Sequence, residues 1–152
     1  MNKITVKEVF QFNVTHDRFR WYTDEDIDRY IGFGENLVVG DIHKLDKTKE
    51  RHFECYLEDE HVADFRCIQQ NDTDKALKRA EFIIIVGRRN AGIGSKVLPL
   101  LIESVKSYYE SIYCYIHKSN IRSVKLMKKN GFYVEEIRGS ELLLVLDLDD
   151  LD

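Results

Sequence analysis

The stretch GRRNAGIGSKVL, residues 87–98, closes an apolar run and opens a helical pattern. Two arginines precede two glycines set one residue apart, and amphipathic spacing begins directly after them. Glycines before a helix let the backbone approach an anion closely, and the first-turn N–H groups lack intrahelical acceptors. Three phosphate-binding patterns compete for such a turn. A Walker loop needs Lys-Ser/Thr after its last glycine, whereas Gly94 is followed by Ser95-Lys96, the reverse order. A dinucleotide fingerprint needs a third glycine where Val97 stands, and it opens an early βαβ unit rather than a turn past mid-chain. What remains is Arg-x-x-Gly-x-Gly, supplied by Arg89, Gly92 and Gly94, whose successive amides would cradle a pyrophosphate without a metal. A strand–glycine–helix turn that binds nothing fits the loop equally well.

Working outward, AEFIIIVG (80–87) is a continuous apolar run, the pattern of a strand buried on both faces in mid-sheet. HFECYL (52–57) and HVADFRCI (61–68) flank an acidic connection and read as a hairpin, and residues 2–10 alternate as a strand. Thr23 before three acids predicts a helix running to about Phe33 and stopping at Gly34. LVVGDIHKL (37–45) reads as a short strand, KLDKTKER (44–51) as a solvated turn and NDTDKALKR (71–79) as a polar loop. Beyond the glycines, Ile93, Val97, Leu101, Val105 and Tyr108 recur at helical spacing. Pro99 falls inside that helix, removes a bond to the Ser95 carbonyl and should bend the axis.

SIYCYIH (111–117) is another strand, and NIRSVKLMKKN (120–130) a helix that Asn120 caps and Gly131 ends. FYVEEIRG (132–139) and ELLLVLDL (141–148) form a closing hairpin, and the acidic tail DDLD should fray. This order predicts one domain over residues 1–152. Its class is α/β (α+β): a mixed, mostly antiparallel sheet of six to seven strands flanked by helices.

The helix after the second strand carries its own pattern. HKSNIRSVKLMKKNGF (117–132) matches Asn-x-x-Ala/Ser-x-x-Leu-Tyr-x-Lys-x-Gly-Phe at Asn120, Ser123, Leu126, Lys129, Gly131 and Phe132. Together with Arg89, Gly92 and Gly94, one helix and one strand upstream, it resembles the paired signatures of the GNAT superfamily of N-acetyltransferases. The resemblance covers residues 80–148 well and the first half by element order alone. It implies a splayed sheet in which the strands at 80–86 and 111–117 begin adjacent and diverge, with acetyl-CoA as cosubstrate in the gap. Pantetheine would pair with the backbone of Ile84, Ile85 and Val86. The pyrophosphate would rest on the turn, making Arg88, Arg89, Asn90, Ala91, Gly92, Ile93, Gly94, Ser95 and Lys96 candidate binders, with Asn120 and Ser123 facing the coenzyme from the second motif. Lys96, Arg88, Arg122 or Lys125 would meet the adenosine 3′-phosphate. Two departures stand out: only Gly87-Arg88 separates Val86 from Arg89, and Met127 occupies the place of the tyrosine that commonly protonates the leaving thiolate.

Acetyl transfer to an amine needs a general base, a stabilised oxyanion and a proton for the thiolate. Glu81, at the head of the central strand, is the first candidate base; His117, at the end of the other splayed strand, is the second. Ser123, Tyr113 and Tyr115 are candidate acids, and a serine frame without the tyrosine resembles the branch that acetylates ribosomal-protein N-termini. The predicted reaction is direct attack of a primary amine (protein N-terminus, lysine or small molecule) on acetyl-CoA in a ternary complex. The alternative is a non-catalytic acyl-CoA-binding regulatory module.

A net charge of −4 and a pI of about 5.8 argue against nucleic acid as a partner, including an aminoacyl-tRNA acceptor. Three cysteines without CxxC spacing read as buried free thiols of a reducing compartment, and neither a signal-peptide core nor a membrane-length apolar run is present. A cytoplasmic, soluble protein follows, with a homodimer compatible. The histidines lack metal-ligand spacing, so no metal site is expected.

Overall fold

The computed structural model describes residues 3–10, 49–87 and 92–150. Among these, strands β1 (Ile4–Val9), β2 (Glu50–Leu57), β3 (Glu60–Ile68), β4 (Arg79–Val86), β5 (Ser111–His117), β6 (Tyr133–Arg138) and β7 (Glu141–Asp147) form one sheet. Its order is β1-β2-β3-β4-β5-β7-β6, so the apolar β4 is central, as its composition predicts. Helices α1 (Asp72–Leu77), α2 (Ile93–Val105) and α3 (Ile121–Lys129) complete the described elements. Every strand pair is antiparallel except β4–β5, where α2 supplies the crossover that a parallel pair requires.

The two-residue period of a strand sorts the side chains. Ala80 and Phe82 of β4, Ile112, Cys114 and Ile116 of β5, and Leu144 and Leu146 of β7 share one core with α2. That helix contributes Ile93, Val97, Leu98, Leu101, Ile102 and Val105, and Met127 and Phe132 close the core from the α3 region. Glu81, Ile83 and Ile85 of β4 and Tyr113, Tyr115 and His117 of β5 alternate onto the opposite face.

The central pair is joined only at Arg79–Ser111, Ala80–Ile112 and Glu81–Tyr113. Beyond that point β4 stays with β3 as far as Val86, and β5 stays with β7 as far as His117. The sheet therefore forks after Glu81 and Tyr113. Two half-sheets, β1-β2-β3-β4 and β5-β7-β6, diverge from a common root.

Several stretches differ from their sequence reading. NDTDKALKR contains α1 rather than a loop: the Asn71 side chain accepts from the Asp74 N–H, and Lys78 closes the turn in the left-handed region at φ 52°. The signal was an Asn N-cap three residues before an acid, obscured by the polar composition. Helix α2 ends at Val105, so Tyr108 lies beyond it and is exposed, with the Arg51 guanidinium 3.6 Å from its ring centroid. Tyr109 takes the buried position instead. Glu50 and Arg51 begin β2 rather than belonging to a turn. The tail does not fray at once, because Leu148 is buried, donates its N–H to the Glu110 carbonyl at 2.8 Å and starts a 3₁₀ turn through Asp150. The helix expected from Thr23 and the strand expected at 37–45 lie outside the described residues.

Candidate active site

The turn after β4 is described from Gly92 onward; Arg88, Arg89, Asn90 and Ala91 lie outside the described residues. Gly92 is the N-cap of α2 at φ 68°, ψ 19°, a left-handed conformation that a β-carbon disfavours. The bond from the Lys96 N–H to the Gly92 carbonyl, 3.3 Å, opens the helical ladder. The amides of Ile93, Gly94 and Ser95 precede it and point from the helix end, where the dipole favours an anion. Gly94 has a different role: a β-carbon there would stand 3.4 Å from Leu126 Cδ2. The second glycine thus lies beside α3 with room for a β-carbon at ordinary contact distance, which places the two sequence motifs next to each other.

Which backbone groups face the fork follows from hydrogen-bond parity. The Gly87 N–H donates to the Val62 carbonyl at 2.8 Å, in register with the β3–β4 pairs Asp64–Ile85 and Arg66–Ile83. Odd residues of β4 therefore bond β3, and Ile84 and Val86 turn their main chains toward the fork. Ile85, expected among the pantetheine partners, gives its main chain to Asp64 and buries its side chain on the opposite face. On the other edge, the Leu148 N–H meets the Glu110 carbonyl and the Lys118 N–H the Ser140 carbonyl, both 2.8 Å. Even residues of β5 therefore bond β7, and the main chains of Tyr115 and His117 line the fork.

Glu81 stands at the root of the fork, on the face opposite α2 and α3. Its Oε1 accepts from Gln70 Nε2 at 2.9 Å. Burial raises its pKa above the ordinary carboxylate range; the Gln70 bond opposes that shift, and the negative charges of Asp74 and Glu141 add to it. Beneath it, Asp74 is fully buried and accepts from Tyr113 Oη at 2.8 Å, Arg79 Nε at 2.7 Å and the Gln70 N–H at 2.9 Å. Burial pushes the Tyr113 phenol well above its usual range, and its bond to Asp74 pushes the same way. Tyr113 is a strut for Asp74, and its proton is not available to a leaving thiolate. Sequence reasoning missed both Asp74 and Gln70.

The other candidates are more dispersed. His117 Nδ1 lies 2.6 Å from Ser119 Oγ and accepts the Ser119 N–H at 3.2 Å. The nitrogen holding the lone pair is thus occupied, which leaves Nε2 carrying the proton of the neutral ring. Tyr115 Oη accepts from Arg138 Nη1 at 3.1 Å, and its ring stands edge-on to Tyr113 at 6.0 Å between centroids. Asn120 Oδ1 accepts the Ser123 N–H at 3.2 Å, capping α3 as the sequence predicts, and Ser123 is half-buried in the first turn. Met127 is 4% exposed and belongs to the core shared with α2. A thioether packs well in such a place but donates no proton.

A groove of about 950 Å³ opens on the face that carries Tyr113 and Tyr115. Tyr133 joins them in its wall, and Glu135, Glu136 and Asp147 add carboxylates. Elsewhere, Glu54, His61 and Asp64 bring their ligand atoms within 4.8 Å of one another. His61 Nε2 is 2.8 Å from Asp64 Oδ1, and Tyr56 Oη donates to Glu54 at 2.8 Å. Cys55, Cys67 and Cys114 are buried free thiols, and burial raises all three, Cys55 to about 12. None of the three is a nucleophile near neutral pH.

No family model matches this chain, and no curated protein matches it. Solved structures match along nearly its whole length. The spermidine N-acetyltransferase of Vibrio cholerae in complex with CoA and spermine aligns at TM-score 0.76 and 16% identity, covering 96% of each chain. The chain has the GNAT fold. The GNAT domain of S. lividans PAT aligns at TM-score 0.72 and 13% identity, over 96% of this chain and 90% of that one. The Campylobacter jejuni N-acetyltransferase PseH in complex with acetyl coenzyme A aligns at 0.69 and 19%, over 95% and 99%. The fork, the αL glycine and the capped α3 all fall in the second half of the sequence, between Arg79 and Lys129. Among the described residues no helix is long and apolar enough to cross a membrane.

Proposed function

We propose that the protein is an acetyl-CoA-dependent N-acetyltransferase acting on a primary amine. The observation that carries this reading is the fork, which exposes the main chains of Ile84 and Val86 beside a helix N-terminus opened by an αL glycine. Pantetheine adds to β4 there as a short extra strand, and the pyrophosphate lies on the amides of Ile93, Gly94 and Ser95. The thioester then reaches the root of the fork, where Glu81 faces the opposite side of the sheet. An amine arriving from that side attacks the carbonyl carbon. The C–N bond forms, the N–H of Ile84, the first fork-facing amide beyond the root, stabilises the oxyanion, Glu81 takes the amine's proton through a bridging water and the C–S bond breaks. Ser123 or water returns a proton to the thiolate.

The groove on that side carries three tyrosines and more carboxylates than its two arginines, Arg79 and Arg138, a balance that suits a cationic acceptor. Spermine in the Vibrio cholerae structure is an amine of that kind. A second reading, a non-catalytic acyl-CoA-binding module, is favoured by one observation: the buried Met127 leaves no phenol at the motif position on α3. A thiol-release assay with acetyl-CoA and a panel of amines, run beside calorimetry with CoA, separates the two. Turnover on an amine supports the enzyme; tight CoA binding without turnover on any amine supports the module.

A further inference from the structure

Glu81 does not stand alone at the root of the fork. Gln70 follows β3, and its main chain and side chain are committed to different carboxylates. Its N–H donates to Asp74 Oδ2 and its Nε2 to Glu81 Oε1, both at 2.9 Å. Asp74 is itself immobilised by Tyr113 Oη, Arg79 Nε and the Asn71 cap on its own N–H. A rigid buried carboxylate thus fixes the Gln70 backbone, and the Gln70 amide in turn fixes one oxygen of Glu81.

We propose that Gln70, anchored by Asp74, is a positioning residue that orients the Glu81 carboxylate toward the acceptor amine. The proposal rests on Glu81 being the base. An amide N–H can only donate, so the bonded Oε1 is turned away from the reaction and Oε2 keeps its lone pairs for the amine or a bridging water. The bond also favours the charged form, against burial and against the charges that face Glu81. The charges are Asp74 from α1 and Glu141 from β7; the titratable Tyr113 and Cys114 of β5 stay neutral, and Arg79 on β4 is the nearby cation. Gln70 itself is exposed, so its side chain can be changed without opening the core.

The test uses Gln70→Ala and Gln70→Glu in the full chain. Turnover is followed against pH beside acetyl-CoA affinity and melting temperature, and the Glu81 carboxyl carbon is titrated by NMR. Removing the donor moves the acid limb of kcat to higher pH, and a glutamate moves it further by adding a like charge. At pH 6, kcat of Gln70→Ala falls about 3- to 10-fold, the worth of one hydrogen bond, while acetyl-CoA affinity and melting temperature hold. Acid limbs and Glu81 titrations that coincide with the parent in both variants would overturn the role of Gln70. Glu81→Gln, run alongside, separates the two levels. If it keeps the parent's turnover and acid limb, the base assignment fails and the Gln70 proposal with it. If it loses them while the Gln70 variants match the parent, only the Gln70 proposal fails.

Discussion

Glu81, on the central strand, combines partial burial with a negative neighbour in Asp74. Its raised pKa means the folded state holds a proton more tightly than the unfolded chain. The stability this confers is fully present below the unfolded pKa and is lost as pH rises through the folded one. Glu81→Gln removes the cost of ionising a buried carboxyl, so its melting temperature at pH 7 should equal or exceed the parent's. Its turnover should fall about 100-fold or more, the usual worth of a general base. Paired calorimetric and thiol-release measurements check both; a variant that is less stable and fully active contradicts the assignment. Gly92 is a simpler case. Aspartate at φ 68° would bear backbone strain and place a like charge against the pyrophosphate. Gly92→Asp should lose at least about 10-fold in CoA affinity by calorimetry, since one anion–anion contact at a partly buried site costs about 1.4 kcal/mol or more. Unchanged affinity would remove the loop from the coenzyme site.

At the scale of elements, the first half of the site could be read from the chain and the second could not. The strand–glycine–helix turn and the Asn120-capped helix announced themselves because each depends on local chemistry: φ above zero at Gly92, a side-chain cap at Asn120. Helix α1 did not, because its six residues bury only Asp74 and show no apolar period. Its purpose is long-range. Asp74 reaches Tyr113, 39 residues further on, and no spacing rule encodes such a contact. Met127 shows the same limit from the other side, since the motif flagged an absent phenol while only packing shows that the position is core. Asp74→Asn keeps the size but weakens three charge-assisted acceptor contacts. It should cost about 2 to 4 kcal/mol in denaturant unfolding, with little change in m-value. A loss below about 0.5 kcal/mol would show that α1 does not hold the root of the fork.

Across the whole molecule, the forked sheet follows from two sets of loyalties. β4 follows β3 and β5 follows β7, each through a full antiparallel ladder, while the parallel contact between them spans three residue pairs. On the proposed reading, a site built this way would hold the coenzyme by main-chain groups and leave side chains on the far face to select the acceptor. The architecture is shared with solved structures at identities of only 13 to 19%. The central claim, that CoA completes the fork as a strand against β4, is tested most directly by amide hydrogen exchange resolved by residue. Ile83 and Ile85, bonded to β3, should be protected with or without CoA. Ile84 and Val86, facing the fork, should exchange quickly in the free protein and become protected when CoA is added. CoA binding that leaves the Ile84 and Val86 amides unchanged would contradict the account.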